Sequence, residues 1–222
     1  MKVLRISLLL MAAFAAWTFL VITVDIQAAG PMGSDIGFST LNRGFHQLTG
    51  VHLSLYTITD WLGLIPVAVC VMFAMLGLLQ CIKRRSLFKV DMDILCLGVY
   101  YIVVITAYLT FEMYPVNYRP ILIEGRLEAS YPSSTTLLVL SVMPTLVYQV
   151  KHRLNNAAAR RFICMATYIF TTLMVFGRLL SGVHWFTDII GSILLSTGLF
   201  LLYKSFCDKG GILWNSMKNF RN

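Results

Sequence analysis

The segment Gly177–Ser192, GRLLSGVHWFTDIIGS, contains three side chains that are suited to chemistry, Arg178, His184 and Asp188. Only 13% of the residues in this chain are charged, so three ionisable groups at the edge of an apolar stretch indicate a functional role. His184 and Asp188 are four positions apart and share one face if the segment is helical. A carboxylate there can hold an imidazole in one tautomer and stabilise its cation, which is typical of an activated nucleophile or base.

Two upstream segments add groups that favour an anion. Tyr118-Arg119-Pro120 supplies a second arginine, and Tyr131-Pro132-Ser133-Ser134-Thr135 is typical of a helix start with proline in the first turn. Two guanidiniums, together with free amides near Ser133 to Thr135, suit the binding of a phosphoryl group. The combined pattern predicts phosphate chemistry.

The composition predicts an all-α, polytopic membrane protein. The chain has 222 residues, of which 58% are hydrophobic, which is too apolar for an ordinary soluble domain. Six charge-free stretches approach the roughly 20 residues that cross a bilayer. Since no repeat or linker divides the chain, we predict one six-helix domain over residues 1–222. The stretches are Ile6 to Val24, Trp61 to Ile82, Ile94 to Phe111, Ser133 to Val150, Phe162 to Phe176 and Ile189 to Tyr203.

Basic residues are distributed unequally between the two sides of these six spans. By the positive-inside rule, the richer side, which carries both termini, is cytoplasmic. Arg119, Arg178 and His184 then share the outer face of a cell membrane, which predicts an outer-face active site. The richer side has Lys2, Arg5, Lys83, Arg84, Arg85, Lys89, Lys151, Arg153, Arg160, Arg161, Lys204, Lys209, Lys218 and Arg221, and the other side has Arg43, Arg119, Arg126 and Arg178.

The N-terminus has an alternative interpretation as a secretory signal, because Lys2 and Arg5 precede an apolar run that ends near Ala28-Ala29. That run is long for a signal, so we favour a first span. The loop that follows, from Ala28 to about Ser54, has apolar residues at helix-like spacing and predicts a short interfacial helix.

Charge and cysteine content exclude some partners. The net charge of +8 comes from residues beside span ends, where topology and anionic lipid account for them, so we expect membrane lipid and no nucleic acid as partner. The five cysteines lack CxxC spacing and lie within spans or on the inner side, so we expect neither disulfides nor a zinc site.

The motifs between Glu112 and Gly191 resemble those of the type 2 phosphatidic acid phosphatase family, membrane phosphatases related to vanadium haloperoxidases. That family has Lys, six residues, then Arg-Pro; next Pro-Ser-Gly-His; and finally Ser-Arg, five residues, His, three residues and Asp. The third motif is the best preserved here, with Arg178, His184 and Asp188 in register and Gly177 in place of its serine. The family also has six spans.

The resemblance implies a role for each matching residue. His184 attacks phosphorus to give a phosphohistidine, Asp188 orients it, and Arg119 and Arg178 bind the phosphoryl oxygens. The residue chemistry agrees, since a neutral imidazole is nucleophilic and guanidiniums provide forked donors. This scheme needs no metal and no cofactor.

Two motifs depart from the family pattern. Glu112 stands at the lysine position of the first, while Ser134 and Thr135 replace the glycine and histidine of the second. Threonine is too weak an acid to protonate a leaving group. A leaving phosphate, with a second pKa of about 6, needs no such proton, whereas an alkoxide does. A lipid pyrophosphate is therefore the preferred substrate over a lipid monophosphate.

Three functions stay open at this point. The first is a membrane lipid phosphatase, the second a catalytically silent relative that binds phosphorylated headgroups, and the third a lipid-to-lipid phosphotransferase. Glu112 could pair with Arg119 or transfer protons. The remaining candidates are expected to be loop charges (Glu124, Arg126 and Glu128) or interfacial histidines (His46 and His52).

Overall fold

The computed structural model describes residues 2–219 and the side chains of residues 2–208. Within that range the fold is all-helical, as predicted, and β-structure is limited to isolated bridges in loops. The helices are α1 (Lys2–Val21), α2 (Ser39–Thr49), α3 (Leu53–Leu62), α4 (Leu64–Arg84), α5 (Met92–Met113), α6 (Ser134–Arg153), α7 (Ala157–Leu180) and α8 (Phe186–Asn219).

Five stretches among the described residues are long and apolar enough to cross a membrane: α1, α3 with α4, α5, α7, and α8 to Asp208. The remaining long helix, α6, has 20 residues but is more polar. Its neighbours α4, α5, α7 and α8 surround it and bury much of its surface. A helix that is shielded from lipid tolerates polar side chains, so α6 remains the predicted sixth span.

Helices α1 and α8 form the most extensive helix pair in the bundle. Ser7 of α1 donates a hydrogen bond to the carbonyl oxygen of Gly198 in α8 at 2.8 Å, a contact that small residues permit between membrane helices. Farther along α1, Phe14 stacks on Tyr131, whose hydroxyl lies 2.7 Å from that of Thr18. These contacts attach the loop before α6 to α1.

An ion-pair network joins α4, α5 and α6 at one end of the bundle, which we call the basic end. Arg84 and Arg153 contact the Asp91 carboxylate at 2.7 and 2.9 Å, and Arg153 also contacts Asp93 at 2.6 Å. Burial raises the pKa of Asp91, but hydrogen bonds from Arg84, Arg153 and Gln80, together with the charge of Arg153, outweigh it and hold that pKa below its ordinary value. Of the predicted inner-side residues, Arg221 and the side chains of Lys209 and Lys218 lie outside the described part of the structure.

The opposite end of the bundle, which we call the site end, contains α2 and the loop after α5. The short helix predicted for this part of the chain forms as α2, from Ser39 to Thr49, and its place at the membrane interface stays a prediction. The loop after α5 folds back on itself through backbone bridges between Tyr118 and Ala129 and between Ile123 and Arg126. These segments surround the turn between α7 and α8.

Candidate active site

His184 lies in the turn between α7 and α8, because α7 ends at Leu180 and α8 begins at Phe186. The prediction that His184 and Asp188 share one helical face is therefore wrong for His184. Gly182 makes the turn possible, since its φ of +71° favours glycine and its Cα packs against the backbone of Gly50. The His52 amide also donates to the Ser181 carbonyl oxygen at 2.9 Å.

Asp188 occupies the first turn of α8 and is fully buried. Its Oδ2 accepts a hydrogen bond from the Trp185 amide at 2.9 Å, so the carboxylate caps its own helix. A negative charge at a helix N-terminus is also favourable. Asp188 thereby fixes the backbone of the residue that follows His184.

The His184 ring is oriented chiefly by the backbone of Ser130. Its Nδ1 lies 3.1 Å from the Ser130 carbonyl oxygen and 3.6 Å from Asp188 Oδ2. Since a carbonyl can only accept, we place the proton on Nδ1, which leaves the lone pair on Nε2. The sequence analysis expected Asp188 to make the contact that sets the tautomer of His184. In the structure, Asp188 Oδ2 accepts a hydrogen bond from the Trp185 amide instead, and its distance from His184 Nδ1 is too long for a hydrogen bond.

The reactive side of His184 is buried and electropositive. Nε2 has no hydrogen-bond partner among the described residues, and the side chain is 1% exposed. Burial, followed by the nearby Arg119 and Arg178 guanidiniums, holds the pKa of His184 well below its ordinary value. A neutral imidazole with a free Nε2 in the field of two cations can act as a nucleophile towards an anionic electrophile.

Arg178 is held mainly by α3, a helix that the sequence did not connect with the site. Its Nη1 lies 3.4 Å from the Tyr56 carbonyl oxygen and 3.3 Å from Thr59 Oγ1, while Nη2 donates to Asp60 Oδ1 at 3.2 Å. The guanidinium carbon stands 4.9 Å from the centre of the Tyr56 ring. An aspartate beside an apolar span is a functional-site signal in its own right, so Asp60 could have been found.

Arg119 reaches the same tyrosine from the loop after α5, with its guanidinium carbon 5.8 Å from the ring centre of Tyr56. Its Nε lies 3.2 Å from Glu128 Oε2, and its amide donates to the Glu128 carbonyl oxygen at 3.0 Å. Glu128 is thus the ion-pair partner of Arg119. The suggested pair with Glu112, and the expectation that Glu128 is only a loop charge, are both wrong.

The loop that carries Arg119 is attached to the site by Trp185, whose Nε1 donates to the Tyr118 carbonyl oxygen at 2.6 Å. The Ser130 amide in turn donates to the Asn117 carbonyl oxygen at 2.9 Å. His184 and Arg119 are therefore positioned by contacts between the same two segments, the loop after α5 and the turn between α7 and α8.

The helix start before α6 differs from its prediction in two details. The helix begins at Ser134 with Ser133 as its N-cap, so Pro132 precedes the cap and is not in the first turn. The Ser133 amide donates to the Asp188 carbonyl oxygen at 3.3 Å and is not free for an anion. Thr135 does reach the site, because its Oγ1 accepts from Arg178 Nη2 at 2.6 Å.

Glu112 and Ser134 line a small cleft beside Ser130, at the site end of α5 and α6. Glu112 is exposed there. The two outer histidines support the site turn: His46 Nε2 lies 3.1 Å from the Gly182 carbonyl oxygen, and His52 contacts Thr49. Clusters of three or more His, Cys, Asp or Glu with metal-binding geometry do not occur among the described side chains.

An apolar groove of about 270 Å³ leads away from Arg178 between α4, α5 and α6. Asp60 and Thr135 line it beside Arg178, while Leu64, Val104 and Leu138 line its apolar part. The groove therefore joins the polar residues beside Arg178 to a surface that suits a hydrocarbon chain.

Comparison with known proteins supports the resemblance drawn from the motifs. Residues 106–210 match the family model of the PAP2 superfamily. The fold is similar to the crystal structure of the first transmembrane PAP2 type phosphatidylglycerolphosphate phosphatase from Bacillus subtilis, with a TM-score of 0.60 and 17% sequence identity over 91% of this chain and 96% of that chain. A search of curated proteins found no match. The predicted resemblance is confirmed, and the chain is a multi-pass membrane protein.

Proposed function

We propose that this protein is an integral membrane phosphatase that hydrolyses a lipid pyrophosphate, or less readily a lipid phosphate, through a phosphohistidine at His184. The observation that carries the proposal is the His184 ring: Nδ1 faces a carbonyl oxygen while Nε2 is unpaired and buried near two arginines. We further propose that residues 1–222 form one such domain, with its site on the outer face of a cell membrane and its termini in the cytoplasm.

In the first step, Nε2 of His184 forms a bond to the terminal phosphorus, and the bond from that phosphorus to the bridging oxygen breaks. The lipid monophosphate leaves with the electron pair of that bond, and it needs no proton because its own pKa is low. The imidazole ring becomes cationic. The Asp188 carboxylate, 3.6 Å from Nδ1, stabilises that charge.

In the second step, water forms a bond to phosphorus and the bond between phosphorus and Nε2 breaks. Phosphate is released and His184 returns to its neutral form. Arg119 and Arg178 bind the equatorial oxygens in both steps, when negative charge is concentrated there. An alcohol in place of water would give the phosphotransferase alternative.

A lipid substrate is supported by the groove beside Arg178. Its apolar wall, which includes Leu64, Val104 and Leu138, suits a hydrocarbon chain, and its polar end at Asp60 and Thr135 adjoins the proposed phosphoryl site. A substrate that diffuses within the bilayer would place its headgroup at the arginines while its chain stays in apolar surroundings.

Phosphate release from a panel of lipids by the purified protein tests this proposal. We expect a polyprenyl diphosphate to be hydrolysed faster than a lipid monophosphate with the same chain. Binding of both headgroups without release of phosphate from either would favour the silent relative. Transfer of the terminal phosphate to an added alcohol as a phosphate ester, with little release of free phosphate, would favour the phosphotransferase.

A further inference from the structure

The two site arginines are held by carboxylates in different ways. Arg178 is 1% exposed, and its Nη2 makes an aligned hydrogen bond to Asp60 Oδ1 at 3.2 Å. Arg119 Nε lies at the same distance from Glu128 Oε2, but that nitrogen has no aligned hydrogen bond. The Asp60 side chain itself is 57% exposed. Asp60 is thus an exposed anion bonded to a buried cation.

The contact with Asp60 engages Nη2, a nitrogen of Arg178 that a bidentate phosphoryl group would use. Nε and Nη2 lie on one edge of a guanidinium and form the fork that binds two oxygens of one anion. In Arg178, Nε is buried without a partner, whereas Nη2 is shared between Asp60 and Thr135. Nη1 faces α3, where Tyr56 and Thr59 are its neighbours.

We propose that Asp60 is a displaceable counterion of Arg178, which a phosphoryl group must replace, and that this competition selects headgroups by their charge. The inference rests on the phosphoryl site of the proposed function. Without substrate, the carboxylate compensates a buried charge that would otherwise be costly. Because more than half of the Asp60 side chain is already free of protein contacts, turning it away from Arg178 breaks few other interactions.

Charge selectivity follows from this competition. A singly charged headgroup offers Arg178 no more charge than Asp60 does, so it gains little from the exchange. A pyrophosphate carries more charge and can engage Arg119 and Arg178 together. Asp60 therefore disfavours weakly charged anions and favours pyrophosphate over phosphate.

A purely structural role for Asp60 makes the opposite prediction for anion binding. If Asp60 only held Arg178 in place, Asp60→Asn would lower stability and weaken anion binding together. If Asp60 competes with the anion, Asp60→Asn lowers the stability of the empty protein but tightens anion binding. The two effects then have opposite signs.

Thermal unfolding of the purified full chain in neutral detergent, titrated with inorganic phosphate and with pyrophosphate, separates these cases. For Asp60→Asn we expect a lower midpoint without anion and a phosphate affinity that is higher by about fivefold or more, since one charge is removed roughly 4 Å away. The preference for pyrophosphate over phosphate should become smaller. Glu124→Gln is the control, because Glu124 is an exposed carboxylate at the same end and makes no ion pair with the described residues.

Each result decides one point. Equal or weaker phosphate binding by Asp60→Asn, while the wild type binds phosphate, would overturn the role of Asp60 and leave the phosphoryl site standing. An equal gain in Glu124→Gln would reduce the effect to general surface charge and also overturn it. No binding of phosphate or pyrophosphate by either protein would overturn the phosphoryl site itself.

Discussion

Thr135 is the residue at which the chemistry of this chain departs from the motif that it resembles. It stands where the similar family has a histidine that protonates the leaving group, and its hydroxyl accepts a hydrogen bond from Arg178 at 2.6 Å. A hydroxyl in this role can support the arginine but cannot serve as a matched acid at neutral pH. We therefore expect this side chain to influence which leaving groups the protein accepts.

Thr135→His should raise the turnover of lipid monophosphates more than that of lipid diphosphates. An added acid helps most where the departing oxygen is most basic, so a selective gain of up to about 10²-fold is reasonable. Steady-state phosphate release from the two lipid classes measures it. Glu112→Lys should be combined with the change, since it replaces a carboxylate at the site end with a cation that would attract an anionic substrate.

Thr135→Gln is the matched control, since glutamine fills a similar volume and does not titrate. The leaving-group argument fails if Gln and His alter the ratio of the two rates equally, or if neither alters it.

Protonation of His184 should link stability to pH. Its pKa is lowered in the folded protein by burial and the two arginines, whereas in the unfolded chain it is near 6.5. Below about pH 6.5 the unfolded chain binds a proton that the folded one does not, so stability falls as pH falls, by up to about 1.4 kcal/mol per pH unit. Relative to His184→Gln, wild type should lose unfolding free energy as pH drops from about 7 to 5. Parallel curves for the two proteins would show that His184 titrates normally when folded.

The sequence predicted the site better as a set of residues than as a set of contacts. Arg119, Arg178, His184 and Asp188 do gather at one end of the bundle, because their motif spacing follows chemistry that is visible in the residue types. The partner of His184 Nδ1 was missed because it is a backbone carbonyl, at Ser130, and any residue provides one.

Among the elements, α3 shows most clearly what a sequence pattern leaves out. It is a ten-residue helix directly before α4, and hydropathy alone merges the two into one span. Its contacts with Arg178 join residues far apart in the chain, and no periodicity encodes such contacts. By contrast, the long helices were predicted well, since each must cover about 30 Å of hydrocarbon.

The network at the basic end should stabilise the bundle without affecting the site. Arg153 bonds Asp91 and Asp93 while its side chain is 30% exposed, so Arg153→Met removes two ion pairs that join α6 to α5. We expect a loss of roughly 1–2 kcal/mol in unfolding free energy, which thermal unfolding in detergent can detect. Phosphate release per folded molecule should not change.

Arg161→Met provides the comparison, because Arg161 lies near the same end and makes no ion pair with the described residues. Equal losses in the two variants would mean that the network has no specific role.

For the whole molecule, the distribution of basic residues predicts how the chain lies in the membrane. The basic end, with Arg84 and Arg153, should face the cytoplasm, and the site end should face outward. This orientation would give the site access to lipids in the outer leaflet.

Cysteine labelling of intact cells tests this orientation. In a background without the five native cysteines, a membrane-impermeant maleimide should modify Glu124→Cys, in the loop after α5, but not Ser86→Cys, in the loop after α4. Permeabilised cells, in which both positions should react, provide the control. Labelling at Ser86→Cys alone in intact cells would reverse the assignment.

The most direct test of the central claim is a search for the phosphorylated enzyme. Rapid quenching of the purified protein with a lipid diphosphate, labelled in its terminal phosphate, should give an acid-labile, base-stable label on the peptide that contains His184. Asp188→Asn should form this label more slowly, and His184→Ala should form none, while His152→Ala at the basic end should behave like wild type. Undiminished phosphate release by His184→Ala, or a label that persists in that variant, would contradict the account.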